Sequence, residues 1–519
     1  MEMAKGQGEA ALEDKLKVLE TQWPSWTWLR DRLRRSGLDA TSARELRSSA
    51  PRSSWAILAK PADALVKHFE LAPEVLVLCS PWDEIQANDI KRAESLFRAE
   101  LRVDPGFALV ITHDPDAEAR LRPVVPDNRR YLFVLDETFA KTPDPQTFLR
   151  NLLRDALGGR RLFDLRPPAA GPQFFGRDKE LEALSRDVLN GHCLGVFGLR
   201  KVGKTSLLRR VSEKFREAGP GARRVIPVEV DLQTTPYHRR NFSGVVDLIL
   251  RELNGELKRA QIDVPSPSRD PQAHFLESVE HVESALGGRM LLVLDEYEVL
   301  LGGRIPQRDG VEILTWLRGI AQAHAGGFSL VLAGRNSRLL APARIEGADN
   351  PMYRFLRSVP LAGLTPEDCR TMVRTIGGRM ALRFAHDALD IIVQETGGHP
   401  ALARTLGDLV DQNTPPMART PALVNADVIR SVLPRFSREV DDDMRELVDA
   451  SNDFDQRAAD YLVHLAHEIP WVGGPSEARI NDALVGYGIL HRESHVFRIG
   501  RLATWLRENH ACPLKAAHG

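Results

Sequence analysis

Apolar positions recur at two spacings along the chain, and the change from one to the other divides it. Near the start Leu12, Leu16 and Leu19, then Trp28, Leu29 and Leu33, follow the three-to-four spacing of helices, which predicts a helical region over 1–60. Short β-branched or aromatic runs follow at Val75–Leu78, Phe107–Thr112 and Tyr131–Leu135. Helical patterns over Asp89–Leu101, Asp116–Val124 and Pro145–Leu157 separate or follow them. Strands alternating with helices predict a small α/β domain with a parallel sheet over 61–165. Two Pro-rich stretches, Arg166–Gln173 and Gln412–Ala422, read as linkers. No internal repeat marks a solenoid or propeller.

Beyond the first linker the strand runs become wholly apolar. Cys193–Gly198, Met290–Leu294 and Phe328–Ala333 predict buried strands of a parallel sheet. Toward the C-terminus, Asp455–His467 and Pro475–Val485 read as helices. Tyr487–Leu490 and His495–Ile499 read as a two-stranded wing before a last helix.

Composition changes this picture mainly by exclusion. Across 519 residues, 43% apolar and 27% charged excludes a disordered or fibrous chain. A net charge of −1 excludes a polycation built to coat nucleic acid or an anionic membrane. Arg30, Arg32, Arg34, Arg35, Arg44, Arg47 and Arg52 form a local basic stretch, either a solvated face or a docking face for an acidic partner or nucleic acid. Four scattered cysteines include no C-x-x-C pair, so neither a zinc cluster nor a disulfide framework is expected. The start lacks a signal-type apolar core and no window is long and apolar enough to span a bilayer; a cytoplasmic setting without membrane contact is the expectation. Acids just beyond the early strands (Asp83/Glu84, Asp114/Asp116, Asp136/Glu137) form no nucleophilic triad or nuclease pattern. A structural or sensing role is expected there rather than an enzymatic one.

The distinctive chemistry starts at Gly198. Gly198-Leu-Arg-Lys-Val202-Gly203-Lys204-Thr205-Ser206 lies between a predicted strand and a predicted helix, matching G-x-x-x-x-G-K-[ST]. Glycines let backbone N–H groups approach phosphate oxygens, and the helix N-terminus adds partial positive charge. Lys204 is then a point charge for the β- and γ-phosphates, and Thr205 offers its hydroxyl to Mg²⁺. Arg200 and Lys201 inside the loop are open between solvated charges and a phosphate role. About ninety residues on, Met290-Leu-Leu-Val-Leu-Asp295-Glu296 has the form of an acid-tipped strand. Asp295 is placed to hold Mg²⁺ and Glu296 to orient and deprotonate the attacking water. Glu298 has no assigned task. At the tip of the third strand, Arg335 or Asn336 is the candidate to touch the γ-phosphate or that water.

These residues carry a family resemblance. Phe174-Phe175-Gly176-Arg177-Asp178-Lys179-Glu180-Leu181, the GLRKVGKTSLL loop, LLVLDEYE, LAGRNSR and Thr396-Gly397-Gly398-His399-Pro400 together resemble the STAND class of P-loop ATPases, kin to AAA+ and NB-ARC modules. The resemblance implies an ATPase core over 174–364, a helical lid over 365–415 and a winged-helix domain over 423–510, behind the 166–173 linker. It also implies ATP/ADP with Mg²⁺ as cofactors. Gly176 and Arg177 would lie near the base and ribose, and Pro400 with His399 would close on the adenine from the lid. No arginine finger is chosen among Arg304, Arg308 and Arg318.

A winged helix raises the question of DNA. The candidate recognition helix Ser476–Val485 carries Glu477 and Asp482 against a single Arg479, which favours packing inside the molecule. The more basic wing (Arg492, His495, Arg498, Arg501) keeps the DNA reading open. The expectation is therefore an ATP-operated signalling switch that hydrolyses slowly and self-associates in one nucleotide state. Its partners would be further copies of itself and an unidentified protein or ligand trigger, in a setting such as bacterial defence or stress signalling. The alternative is a DNA-binding ATPase or transcription regulator.

Overall fold

A computed structural model of the chain describes residues 2–46, 54–69, 71–99, 102–125, 130–157, 162–163, 169, 173–217, 225–234, 241–265, 270–301, 305–335, 343–345, 348–380, 382–414, 422–452, 455–471, 477–492 and 496–513. The N-terminal part opens with helices Glu2–Gln22 and Leu29–Ser36. Its sheet runs β1 (Leu38–Leu46), β2 (Ser54–Pro61), β3 (Glu74–Ser80), β4 (Val103–Thr112) and β5 (Arg130–Leu135), in that spatial order. β1, β2 and β3 pair antiparallel, while β3, β4 and β5 pair parallel.

This corrects the helical expectation over 1–60, because residues 38–46 and 54–61 are strands and make the sheet mixed. β1 (LDATSAREL) lies at the edge of the sheet, where little of it needs to be apolar. β2 hides its period because both faces are covered. Trp55, Ile57 and Ala59 pack under Trp26, Leu29 and Leu33, whereas Ala56 and Leu58 share the opposite core with Ile85 and Ile90.

The central sheet consists of β6 (Leu194–Phe197), β7 (Val225–Asp231), β8 (Arg289–Asp295), β9 (Phe328–Gly334) and, after a hairpin of β10 (Arg344–Ile345) and β11 (Ala348–Asp349), β12 (Arg357–Pro360). All five are parallel, ordered β12-β6-β9-β8-β7. β8 and β9 are buried throughout, which accounts for their unbroken apolar runs. β9 lies between β6 and β8, so the phosphate-loop strand and the acid strand flank the tip that carries Arg335.

Helices Pro366–Gly378, His386–Thr396 and Pro400–Asn413 follow. Their neighbour β13 (Leu382–Phe384) pairs with β14 (Ala422–Val424), and helix Ala426–Glu439 packs on helices 386–396 and 400–413. The expected break at 415–423 is therefore displaced, since the chain returns to the lid helices through Glu439. Helices Asp441–Asn452, Ala458–Ala466, Glu477–Gly486 and Gly500–Asn509 follow, and among the described residues one antiparallel bridge joins Leu490 and Phe497 where the wing was expected. Ser476 and His495 lie outside the described residues, as do 166–168, 170–172 and 415–421 of the two linkers. One continuous apolar core runs from Phe163 to Leu506. Among the described residues no helix is long and apolar enough to cross a membrane.

Candidate functional site

The loop from β6 into helix Lys204–Arg216 sits at the C-terminal ends of the parallel strands, where such sheets form sites. Gly203 has φ +103°, a conformation that a side chain would strain, and no atom lies near its missing Cβ. Gly198 is needed for close approach, because a Cβ there would lie 2.5 Å from the Leu361 carbonyl oxygen. Val202 is fully buried beneath the loop.

Lys204 is buried, and its Nζ donates to the carbonyl oxygens of Gly198 (2.9 Å) and Leu199 (3.1 Å). Burial pushes its pKa down, while Glu296, Asp295 and Glu298 pull it back up. Thr205 Oγ1 donates to Asp295 Oδ2 at 2.6 Å, so the predicted pair of hard oxygen donors stands together. Among the described residues no three His, Cys, Asp or Glu cluster as a metal cage. Mg²⁺ suits this arrangement, because it keeps waters and phosphate oxygens as its other ligands. Glu296 follows at φ +57°, a left-handed conformation unusual for a side-chain-bearing residue and typical of functional sites. Its carboxylate lines the cleft beside the loop.

That cleft holds about 1810 Å³, open to solvent. Phe174, Phe175 and Arg177 line one side, and Met372, Pro400 and Arg404 line the lid side. Arg177 lines the cleft while its guanidinium braces the loop. Its guanidinium donates to the carbonyl oxygens of Val202 (3.2 Å) and Ala362 (2.6 Å) and pairs with Glu180 (3.2 Å). Gly176, at φ +62°, admits the lid helix, since a Cβ would lie 2.6 Å from Asp368 Cγ. Pro400 reaches the cleft, whereas His399 is buried behind it against the phosphate loop. His399 Nε2 lies 3.0 Å from the Arg200 carbonyl oxygen, and its Nδ1 caps helix 400–413 by accepting from Leu402 N–H. Arg335 is exposed at the β9 tip, and Asn336 lies outside the described residues, as does Arg304. Ser206 Oγ accepts from Ala169 N–H at 2.9 Å, so the first linker touches the loop.

Several contacts had no sequence signal. Arg200 pairs with Glu446 (3.1 Å) and Lys201 with Asp443 (2.9 Å), both on helix 441–452. Trp505 Nε1 holds that helix through Asp441 at 2.7 Å. Arg404 donates to the carbonyl oxygens of Leu162 (3.2 Å) and Gln173 (3.3 Å), tying the lid to the linker. The acidic run Asp441-Asp442-Asp443 opposite a basic loop was visible in the sequence, but their pairing was not.

A glycine loop with a buried lysine, facing an acid-tipped strand across one intervening strand, defines a P-loop nucleoside triphosphatase. Residues 189–340 match the family model described as AAA domain. The chain thus carries an ATPase domain of AAA type, using ATP or ADP with Mg²⁺. No curated protein sequence matches it. Among solved structures it is similar to the Walker-type ATPase PABY2304 of Pyrococcus abyssi, at 16% identity and a TM-score of 0.47 over 67% of this chain and 99% of that one. The ORC2 protein of Aeropyrum pernix, solved with ADPNP and ADP, gives 18% and 0.38 over 63% and 83%. Its ORC1 protein in complex with DNA gives 18% and 0.35 over 70% and 98%.

Proposed function

We propose that the chain is an ATP-operated switch of the STAND type, in which the C-terminal helices, read as a winged-helix domain, hold the phosphate loop in a resting state. The observation that carries this reading is the double ion pair between loop residues Arg200 and Lys201 and helix residues Glu446 and Asp443. The loop that would wrap the phosphates is gripped from outside by a helix of opposite charge.

Turnover then divides among named groups. Lys204 would exchange the Gly198 and Leu199 oxygens for phosphate oxygens. Thr205 and Asp295 would hold Mg²⁺, which neutralises charge on the β- and γ-phosphates. Glu296 would orient the attacking water and take its proton, with Arg335 near enough at the β9 tip for its charge to reach Lys204. An added γ-phosphate competes with Asp443 and Glu446 for the loop cations, which favours release of the helix and self-association. The N-terminal α/β part would then sense, act or recruit the partner.

The DNA-binding alternative needs free cations on the wing. Arg498 donates to the carbonyl oxygens of Gly363 (3.2 Å) and Leu364 (2.5 Å), Arg501 is buried against Glu508, and Arg479 pairs with Asp455. Among the wing arginines Arg492 stands exposed. These commitments favour packing over duplex contact.

Light scattering of the purified chain with ADP and with a non-hydrolysable ATP analogue tests the reading. A larger species with the analogue alone supports it; one size in both overturns it. Salt-sensitive duplex binding lost in Arg492→Ala would establish the alternative instead.

A further inference from the structure

We propose that Glu298 is a positioning residue for ATP turnover: its buried carboxylate fixes the tip of β9, and with it Arg335, against the acid pair at the end of β8. The inference rests on the phosphohydrolase reading of the cleft and adds a part that the motifs do not contain.

Glu298 follows the acid pair by two residues and turns its carboxylate back across the sheet edge. Oε1 accepts from the backbone N–H of Arg335. Oε2 is buried and, among the described residues, has no hydrogen-bond partner. A buried carboxylate oxygen without a partner is costly, so such a group needs a reason to be there. Burial pushes this carboxyl above the ordinary glutamate range, and its charge is felt by Lys204.

The room for this contact is built into β9. At Gly334 a Cβ would lie 2.5 Å from Glu298 Oε2, so only glycine lets the carboxylate lie across the strand tip. Gly334 O in turn accepts from Gly198 N–H (3.2 Å), the first glycine of the phosphate loop. One carboxylate therefore joins Arg335, the β9 tip and the start of the loop.

A purely structural task explains less. The β8–β9 ladder runs from Met290 to Leu294, and Tyr297 N–H donates to Ala333 O at 3.0 Å. Tyr297 also packs edge-on against Phe197, with ring centres 5.8 Å apart. The strands are thus paired and packed without the carboxylate. What it adds, among the described residues, is a hold on the backbone N–H of Arg335.

The test compares Glu298→Ala, Glu298→Gln and Gly334→Ala in the full chain, by phosphate release and titration of a fluorescent ADP analogue with Mg²⁺. Alanine removes the acceptor, glutamine keeps an acceptor oxygen, and Gly334→Ala displaces an intact carboxylate. Glu298→Ala and Gly334→Ala should lose about 10²-fold in kcat, the scale of a misplacement near 1 Å, with KM and ADP affinity within about threefold of the parent. Glu298→Gln should recover most of the loss. The inference is overturned if Glu298→Ala turns over at the parent rate, if Glu298→Gln is as impaired as alanine, or if ADP affinity falls with kcat. A parent chain that binds nucleotide but releases no phosphate overturns the phosphohydrolase reading instead.

Discussion

His399 Nε2 lies 3.0 Å from the carbonyl oxygen of Arg200, joining the first residue of the lid's last turn-and-helix to the phosphate loop. A carbonyl only accepts, so Nε2 carries the proton and Nδ1 is free to accept from Leu402 N–H. Acceptance at Nδ1 therefore requires the neutral ring, whereas the bond to Arg200 persists in either form. Burial holds His399 to about 4, well below its ordinary value.

Acid should break the Leu402 cap, because protonated Nδ1 no longer accepts, and should leave a charge on a buried ring. The folded pKa is depressed, so the stabilising effect is present in full above the ordinary histidine range near 6.5 and drains away as pH falls toward about 4. The whole window is worth about 3 kcal/mol at roughly 1.4 kcal/mol per unit. Thermal melts from pH 7.5 to 4.5 should show a steeper loss in the parent than in His399→Gln. Parallel curves would remove His399 from this role.

Lys204→Ala removes the cation buried under the loop. Loss of one charge-assisted hydrogen-bond donor should weaken ATP binding by about 10- to 100-fold. Calorimetric titration with Mg²⁺ present measures it, and unchanged affinity contradicts the assignment of the loop.

Glu296→Gln keeps the size and the left-handed backbone but removes the base. Nucleotide affinity should hold while single-turnover hydrolysis drops about 10²- to 10⁴-fold. A normal rate would exclude Glu296 as the group that activates water.

The ion pairs from the loop to helix 441–452 are partly open to solvent, with Arg200 63% and Lys201 53% exposed, so each contributes little alone. Glu446→Arg should speed ADP release about two- to fivefold, and adding Arg200→Glu should restore the slow rate. Stopped-flow displacement of a fluorescent ADP decides it. If the reversed pair fails to restore the rate, the helix does not act through this contact.

Much of the catalytic edge was legible because its chemistry is local. The glycine loop, Lys204, Thr205 and the Asp295–Glu296 pair lie within two short segments whose spacing and apolar strands announce them. Contacts between distant segments were not. Nothing in RPPAAGPQ indicates that Ala169 meets Ser206, and nothing in GGHP indicates that His399 seats on Arg200 rather than over a base. The early sheet was half legible for a different reason. β3, β4 and β5 carry β-branched runs, whereas edge strand β1 is polar and β2 uses alanines that also suit a helix.

The bond from Ala169 to Ser206 and the two from Arg404 to Leu162 and Gln173 make the tether part of the wall that encloses the nucleotide cleft. A fragment starting at Phe174 would lose that wall: Ser206 would surrender a donor, Arg404 would forfeit two acceptors, and Phe163 would leave its seat against Gly407. Trimming the chain back to Phe174 therefore alters the cleft itself and not only what precedes it.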